Sequence, residues 1–103
     1  MSKIQVPVES KIINSCNILE VTVGTNCPCG SDSGHGGRTF FKLKDLAGTD
    51  MRVRVAGVEY RNESVEIIFG GGSEFGTFME AMEFAIETLK RQSGITHRFV
   101  GID

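Results

Sequence analysis

Apolar and polar residues alternate along the first two thirds of the chain, and the spacing then becomes helical. Leu19, Val21 and Val23 fall on one side of an extended segment, and Ile18, Glu20 and Thr22 on the other. That is the period-two pattern of a strand. Phe41 and Leu43 likewise point away from Lys42 and Lys44, and Met51–Val55 alternates cleanly between apolar and arginine positions. Val58–Tyr60 and Val65–Phe69 read as a hairpin around Arg61–Ser64, bounded by polar turn residues. Lys3–Val8 alternates weakly and reads as a short edge strand, with Pro7 limiting its pairing. Asp45–Asp50 reads as a turn or a single helical turn, and Gly70–Ser73 ends the sheet.

Beyond that point Phe75, Phe78, Met79, Met82, Ala85, Ile86 and Leu89 recur at three- and four-residue intervals, with Glu80, Glu83, Glu87 and Lys90 off the stripe. This spacing predicts one amphipathic helix of about 17–20 residues, roughly 25–30 Å long. Ser73 or Thr77 can cap its start and Gly94 its end. Ile95–Asp103 reads as a tail or a short final strand. The order predicts a single α+β domain over residues 1–103, an antiparallel sheet of about four to six strands followed by one long C-terminal helix. One helix cannot cover both faces of such a sheet. Polar residues must solvate the second face, or another copy of the chain must cover it.

Between the strand ending at Val23 and the strand holding Phe41 lies the chain's most unusual stretch, Gly24-Thr25-Asn26-Cys27-Pro28-Cys29-Gly30-Ser31-Asp32-Ser33-Gly34-His35-Gly36-Gly37-Arg38-Thr39. A hairpin needs only about two to five connecting residues, so a connection of this length and chemistry is either a binding loop or a disordered excursion. Glycine lets a ligand approach the backbone without meeting a Cβ, and Arg38 adds a planar fork suited to phosphate. His35 can donate to a phosphate or stack on a base, or it can fold the loop by bonding a carbonyl. Asp32 reads as an Asx-turn acceptor or a partner of Arg38. Asn26 can read a base or ribose, or serve as a turn residue. A second glycine segment, Phe69-Gly70-Gly71-Gly72-Ser73-Glu74-Phe75-Gly76-Thr77, feeds the helix. It suits an anion, because backbone N–H groups gather at the positive end of the helix dipole. It equally fits a tight strand-to-helix turn. No Lys-Ser/Thr pair follows the glycines, so it is not a phosphate-binding P-loop. Phe75 is a core residue or a stacking platform.

Composition narrows the choice of ligand. Eleven Lys and Arg stand against 13 Asp and Glu, a formal charge of −2, which argues against DNA or RNA as the partner. A small phosphate ligand needs only a few donors and stays open. No apolar run nears the roughly 20 residues of a membrane span, and the first residues lack a signal-peptide core. The chain therefore reads as cytosolic, with Cys16, Cys27 and Cys29 as reduced thiols. Cys27-Pro28-Cys29 with His35 is too few and too tightly spaced for a zinc site, and no metal or cofactor is implied. His35 and His97 are the only histidines, too few for the metal clusters of phosphodiesterases. A Ser31/Ser33–His35–Asp32 set would lie on one loop without rigid support. The residues thus favour binding over catalysis.

Gly24-Thr25-Asn26, Gly34-His35-Gly36-Gly37-Arg38-Thr39 and the later Phe-x-x-Lys-Asp-Leu-Ala-Gly-Thr-Asp segment resemble the phage-encoded Thoeris anti-defence sponges of the first type. The resemblance runs from about Ile18 to Gly94 and is strongest at Gly34–Thr39. It implies a non-enzymatic protein of the host cell cytoplasm. Such proteins bind cyclic ADP-ribose isomers made by bacterial TIR-domain proteins, and some members also take cyclic di- or trinucleotides at separate sites. It implies homo-oligomers, dimers or hexamers, and a sheet followed by C-terminal helical structure. Arg38 is then expected at the pyrophosphate with His35, Gly36 and Gly37 beside it. Asn26 and Phe75 are expected at the nucleoside parts, and Arg91 is expected to reach in from the helix end. Cys27-Pro28-Cys29 is an unusual filling for that loop. A small nucleotide-directed phosphodiesterase and a structural or regulatory oligomer are the alternatives.

Overall fold

The computed structural model describes residues 4–14, 17–27, 36–48, 51–61, 63–93 and 101–102. Six strands precede one helix: β1 (Val8–Asn14), β2 (Ile18–Thr25), β3 (Arg38–Asp45), β4 (Arg52–Val55), β5 (Val58–Arg61), β6 (Ser64–Gly70) and α1 (Gly72–Gln92). The chain is therefore α+β, as its patterning predicts. The strands form two antiparallel sheets, one of four strands in the order β1-β2-β3-β6 and one of two, β4-β5.

Hydrophobic alternation sets the register of the larger sheet. Val23 lies opposite Phe41 and Val21 opposite Leu43, while Phe41 faces Ile67, Leu43 faces Val65 and Thr39 faces Phe69. A slip of one residue would turn this apolar set to the other face. The opposite face carries polar cross-strand pairs. Ser10 and Thr22 share a hydroxyl hydrogen bond of 2.7 Å, and Lys42 reaches Glu66 at 3.9 Å, an exposed pair of small energetic weight.

Three local readings are corrected. The edge strand runs over Val8–Asn14, not Lys3–Val8, because Pro7 lacks the N–H a ladder requires. Val58–Arg61 pairs back on β4 and not forward on β6. Ala56 (φ 49°) and Gly57 (φ 82°) make a two-residue turn with both central residues left-handed, the geometry that matches strand twist. Strand β6 pairs instead with β3, where its apolar residues find apolar partners. Neither Ser73 nor Thr77 caps the helix. The N-cap is Gly71, with no side-chain cap bond, and the Thr77 hydroxyl donates back to the Ser73 carbonyl at 3.1 Å. Residues 94–100, expected to hold the glycine stop and the start of the tail, lie outside the described residues.

The helix covers the apolar face of the larger sheet only near its N-terminus. The Phe78 ring sits 5.8 Å from Phe41, edge-on, and 4.8 Å from Phe69, both favourable aromatic geometries. Farther along, Ile86 and Leu89 are 49% and 67% exposed, and Phe84, on the opposite side of the helix, is 68% exposed. Among the described residues no apolar side chain is buried, and Thr39 is the one buried polar residue. The chain exposes 8171 Å², whereas a folded monomer of this mass exposes about 5,700 Å².

Gly24 holds a place where only hydrogen fits. It lies opposite Val8, and a Cβ there would overlap the Pro7 carbonyl and crowd the Val8 backbone. These are backbone atoms that cannot swing aside. Gly24→Ala is expected to lower stability by about 1–3 kcal/mol, read as a fall in the urea midpoint at unchanged slope.

Candidate functional site

The glycine-rich loop leaves the sheet at Thr25 and re-enters at Arg38. Its two ends are fastened by a polar clamp centred on Asn26. The Asn26 backbone N–H donates to the Arg38 carbonyl at 3.2 Å. The Arg38 N–H donates to Asn26 Oδ1 at 2.8 Å. Asn26 Nδ2 donates to the Gly36 carbonyl at 3.0 Å and to the Gln5 carbonyl at 3.3 Å. The amide thus works with both its ends, as donor and as acceptor, and its orientation follows from its partners. Thr25 extends the clamp. Its hydroxyl lies 3.2 Å from the Arg38 carbonyl and 3.0 Å from Thr39 Oγ1, and it accepts the Cys27 N–H at 3.1 Å.

The two glycine segments, separate in the sequence, meet here. Arg38 pairs with Gly70 across β3 and β6. One residue beyond that pair, the Gly71 N–H donates to the Gly37 carbonyl at 2.9 Å. Gly37 also accepts from the Arg38 guanidinium at 2.7 Å. Gly71 has φ 116°, a conformation that favours glycine. The Glu74 carboxylate folds back over it, where a Cβ would stand. Glu74 therefore stabilises the positive end of the α1 dipole. Loop base, Arg38 and helix start form one end of the sheet.

Next to this end lies an apolar recess of about 270 Å³ between sheet and helix. Its walls include Val23, Phe41, Phe75, Phe78 and Met82, and Thr25 and Thr39 link it to the clamp. Among the described residues, no group of three or more His, Cys, Asp or Glu is placed to hold a metal ion.

The residues singled out by sequence fall into three places. Asn26, Gly36, Gly37 and Arg38 sit together at the loop base. Phe75 is nearby and lines the recess, but strand alternation directs Arg38 to the face of Lys42 and Lys44, opposite the recess. Arg91 lies in the last turn of α1, about 24 Å along the helix axis from Phe75. His35, Asp32, Cys29 and His97 lie outside the described residues. Sequence reading missed Thr25 and Thr39, and it missed that Gly37 and Gly71 touch. The signal for the last was present in the matching alternation of Thr39-Phe41-Leu43 and Val65-Ile67-Phe69.

No protein-family model, curated protein or solved structure matches the chain. No helix among the described residues is long and apolar enough to cross a membrane.

The clamp leads to a direct test. Asn26→Ala removes the donors and acceptor that hold Gly36, Arg38 and Gln5, and is expected to cost about 1–3 kcal/mol. Asn26→Asp keeps an acceptor for the Arg38 N–H and loses the donor, so an intermediate loss is expected. Urea titration of both variants measures the order.

Proposed function

We propose that the chain is a non-enzymatic sponge. It binds and sequesters a small cyclic nucleotide signal, a cyclic ADP-ribose isomer in the first place and cyclic di- or trinucleotides as a further class, as a phage anti-defence protein in the host cytoplasm. The observation that carries this reading is the Gly71 N–H to Gly37 carbonyl bond of 2.9 Å. It joins both glycine-rich segments to Arg38 at one end of the sheet, where a phosphate can meet a guanidinium and close backbone together. Sequestration needs tight, slowly reversible contact and no positioned nucleophile. An anchored loop favours that, since a preformed site loses less entropy on binding.

In this reading Arg38 takes the pyrophosphate, and the Gly36–Gly37 backbone and His35 flank it. Phe75 and the recess receive an apolar or aromatic part of the ligand. Asn26 acts by positioning the loop, because its amide is already engaged by backbone partners. Arg38 and the recess open on opposite sides of the sheet, and Arg91 stands at the far end of α1. A ligand touching all three therefore requires more than one copy of the chain. The uncovered surface supports self-association. Apolar side chains exposed on β1 and on the far half of α1, Ile12 at 55% and Leu89 at 67% among them, are the surface such a partner would cover.

Incubation with a cyclic ADP-ribose isomer, followed by heat denaturation and analysis of the supernatant, separates the readings. Depletion of free ligand and its intact release on heating is expected. An altered ligand would indicate a phosphodiesterase, and no depletion would remove the sponge reading. Arg38→Ala is expected to weaken uptake about tenfold or more with the melting curve retained. Equal affinity by calorimetry would take Arg38 out of the site. Sedimentation equilibrium at micromolar concentration is expected to give a multiple of the 11.2 kDa chain mass.

A further inference from the structure

Strand β1 is an outer strand of the larger sheet. It pairs with β2 along seven residues. Among the described residues its other edge has no strand partner. It contains no proline and its side chains are exposed throughout, with Val8 at 51%, Ile12 at 55% and Ile13 at 43%. An outer edge with no strand partner among the described residues is a template for another strand, and the pattern of its side chains selects which strand.

Successive residues of β1 take opposite faces. Glu9 and Lys11 share the face of Val23 and Val21, which lie opposite them on β2. Val8, Ser10 and Ile12 share the other. A second β1 can continue the sheet antiparallel, about a two-fold axis, only in registers that match like faces. If the axis passes through Lys11, two lysines stand opposite each other. If it passes through Glu9, two glutamates do. If it passes through Ile12, Lys11 faces Ile13. With the axis at Ser10, Glu9 meets the other copy's Lys11 twice and Val8 meets the other copy's Ile12 twice. Opposite charges and apolar pairs across strands are the stabilising combinations, and like charges are not. Glu9 and Lys11 together therefore discourage the competing registers and stabilise this one.

We propose that two copies of the chain join through their β1 edges, antiparallel, with the two Ser10 residues facing each other on the two-fold axis. The result is one continuous eight-stranded sheet. This interface rests on the self-association proposed above but not on the identity of the ligand. It assigns the assembly a defined edge and register.

Charge exchange and register-specific cross-linking test it. Glu9→Lys and Lys11→Glu, singly, each convert two attractive pairs into repulsive ones and are expected to weaken the dimer about tenfold or more. The double variant Glu9→Lys/Lys11→Glu restores both pairs in reversed order and is expected to recover dimerisation in sedimentation equilibrium. Ser10→Cys is expected to form a disulfide between copies under mild oxidation, since facing residues lie about 4.5–5.5 Å apart at Cα. Glu9→Cys and Lys11→Cys, about 7–8 Å from their own counterparts, are expected to stay unlinked. Peptide mass spectrometry on each, against the parent chain with its native cysteines, identifies the linked residue. An oligomer with no Ser10→Cys link and no recovery in the double variant would overturn the β1 interface and leave self-association standing. A monomer at all concentrations would overturn both. Ligand uptake, measured on the same samples, reports the sponge reading separately.

Discussion

The antiparallel register of β3 on β6 is the constraint on which the rest of this structure depends. It places Phe41 against Ile67 and Thr39 against Phe69, building the apolar face that receives Phe78. The same register puts Arg38 opposite Gly70, so the next residue, Gly71, can donate to Gly37. A slip of two residues would keep every face and still lose that bond. Sheet packing and site geometry therefore share one cause, and the helix leaves from the point where both are set.

From that point α1 runs out over the sheet and beyond its cover. The radius of gyration is 16.1 Å, whereas a compact chain of this length would have about 13 Å. Such a shape leaves apolar surface on the helix, the sheet and the small β4-β5 hairpin. On that hairpin, Val53, Val55, Val58 and Tyr60 occupy one face and Arg52, Arg54, Glu59 and Arg61 the other. Glu59 sits 3.3 Å from both Arg52 and Arg54. The hydrogen bond from Arg54 is the main cause that holds its carboxyl below the ordinary range. A two-stranded hairpin is marginal on its own in water. Charge pairing on one face and two left-handed turn residues are the local features that favour it.

The candidate site divides between rigid and adaptable parts. Its base is held by an asparagine whose amide spans three backbone partners, and by a buried Thr39 bonded to Thr25. The apolar recess beside it has walls of phenylalanine and methionine, side chains that adapt to flat or irregular guests.

Strand alternation, the helical stripe from Phe75 to Leu89 and the glycine-rich loop were all legible in the sequence, because each is a local pattern with a local physical cause. The residues alone therefore determined an α+β chain with a long loop and one C-terminal helix. They did not determine which strands pair. Val58–Arg61 and Ser64–Gly70 are adjacent in the chain and equally fit a hairpin, and the choice fell to turn geometry at Ala56–Gly57 and to distant apolar partners on β3. The role of Asn26 was open for the same reason: an amide does not declare its partners until Gly36, Arg38 and Gln5 are brought around it. Only the tertiary structure decided that Gly37 meets Gly71 and that Arg38 and Phe75 face opposite ways, since both depend on the pairing of β3 with β6, strands well separated in the chain.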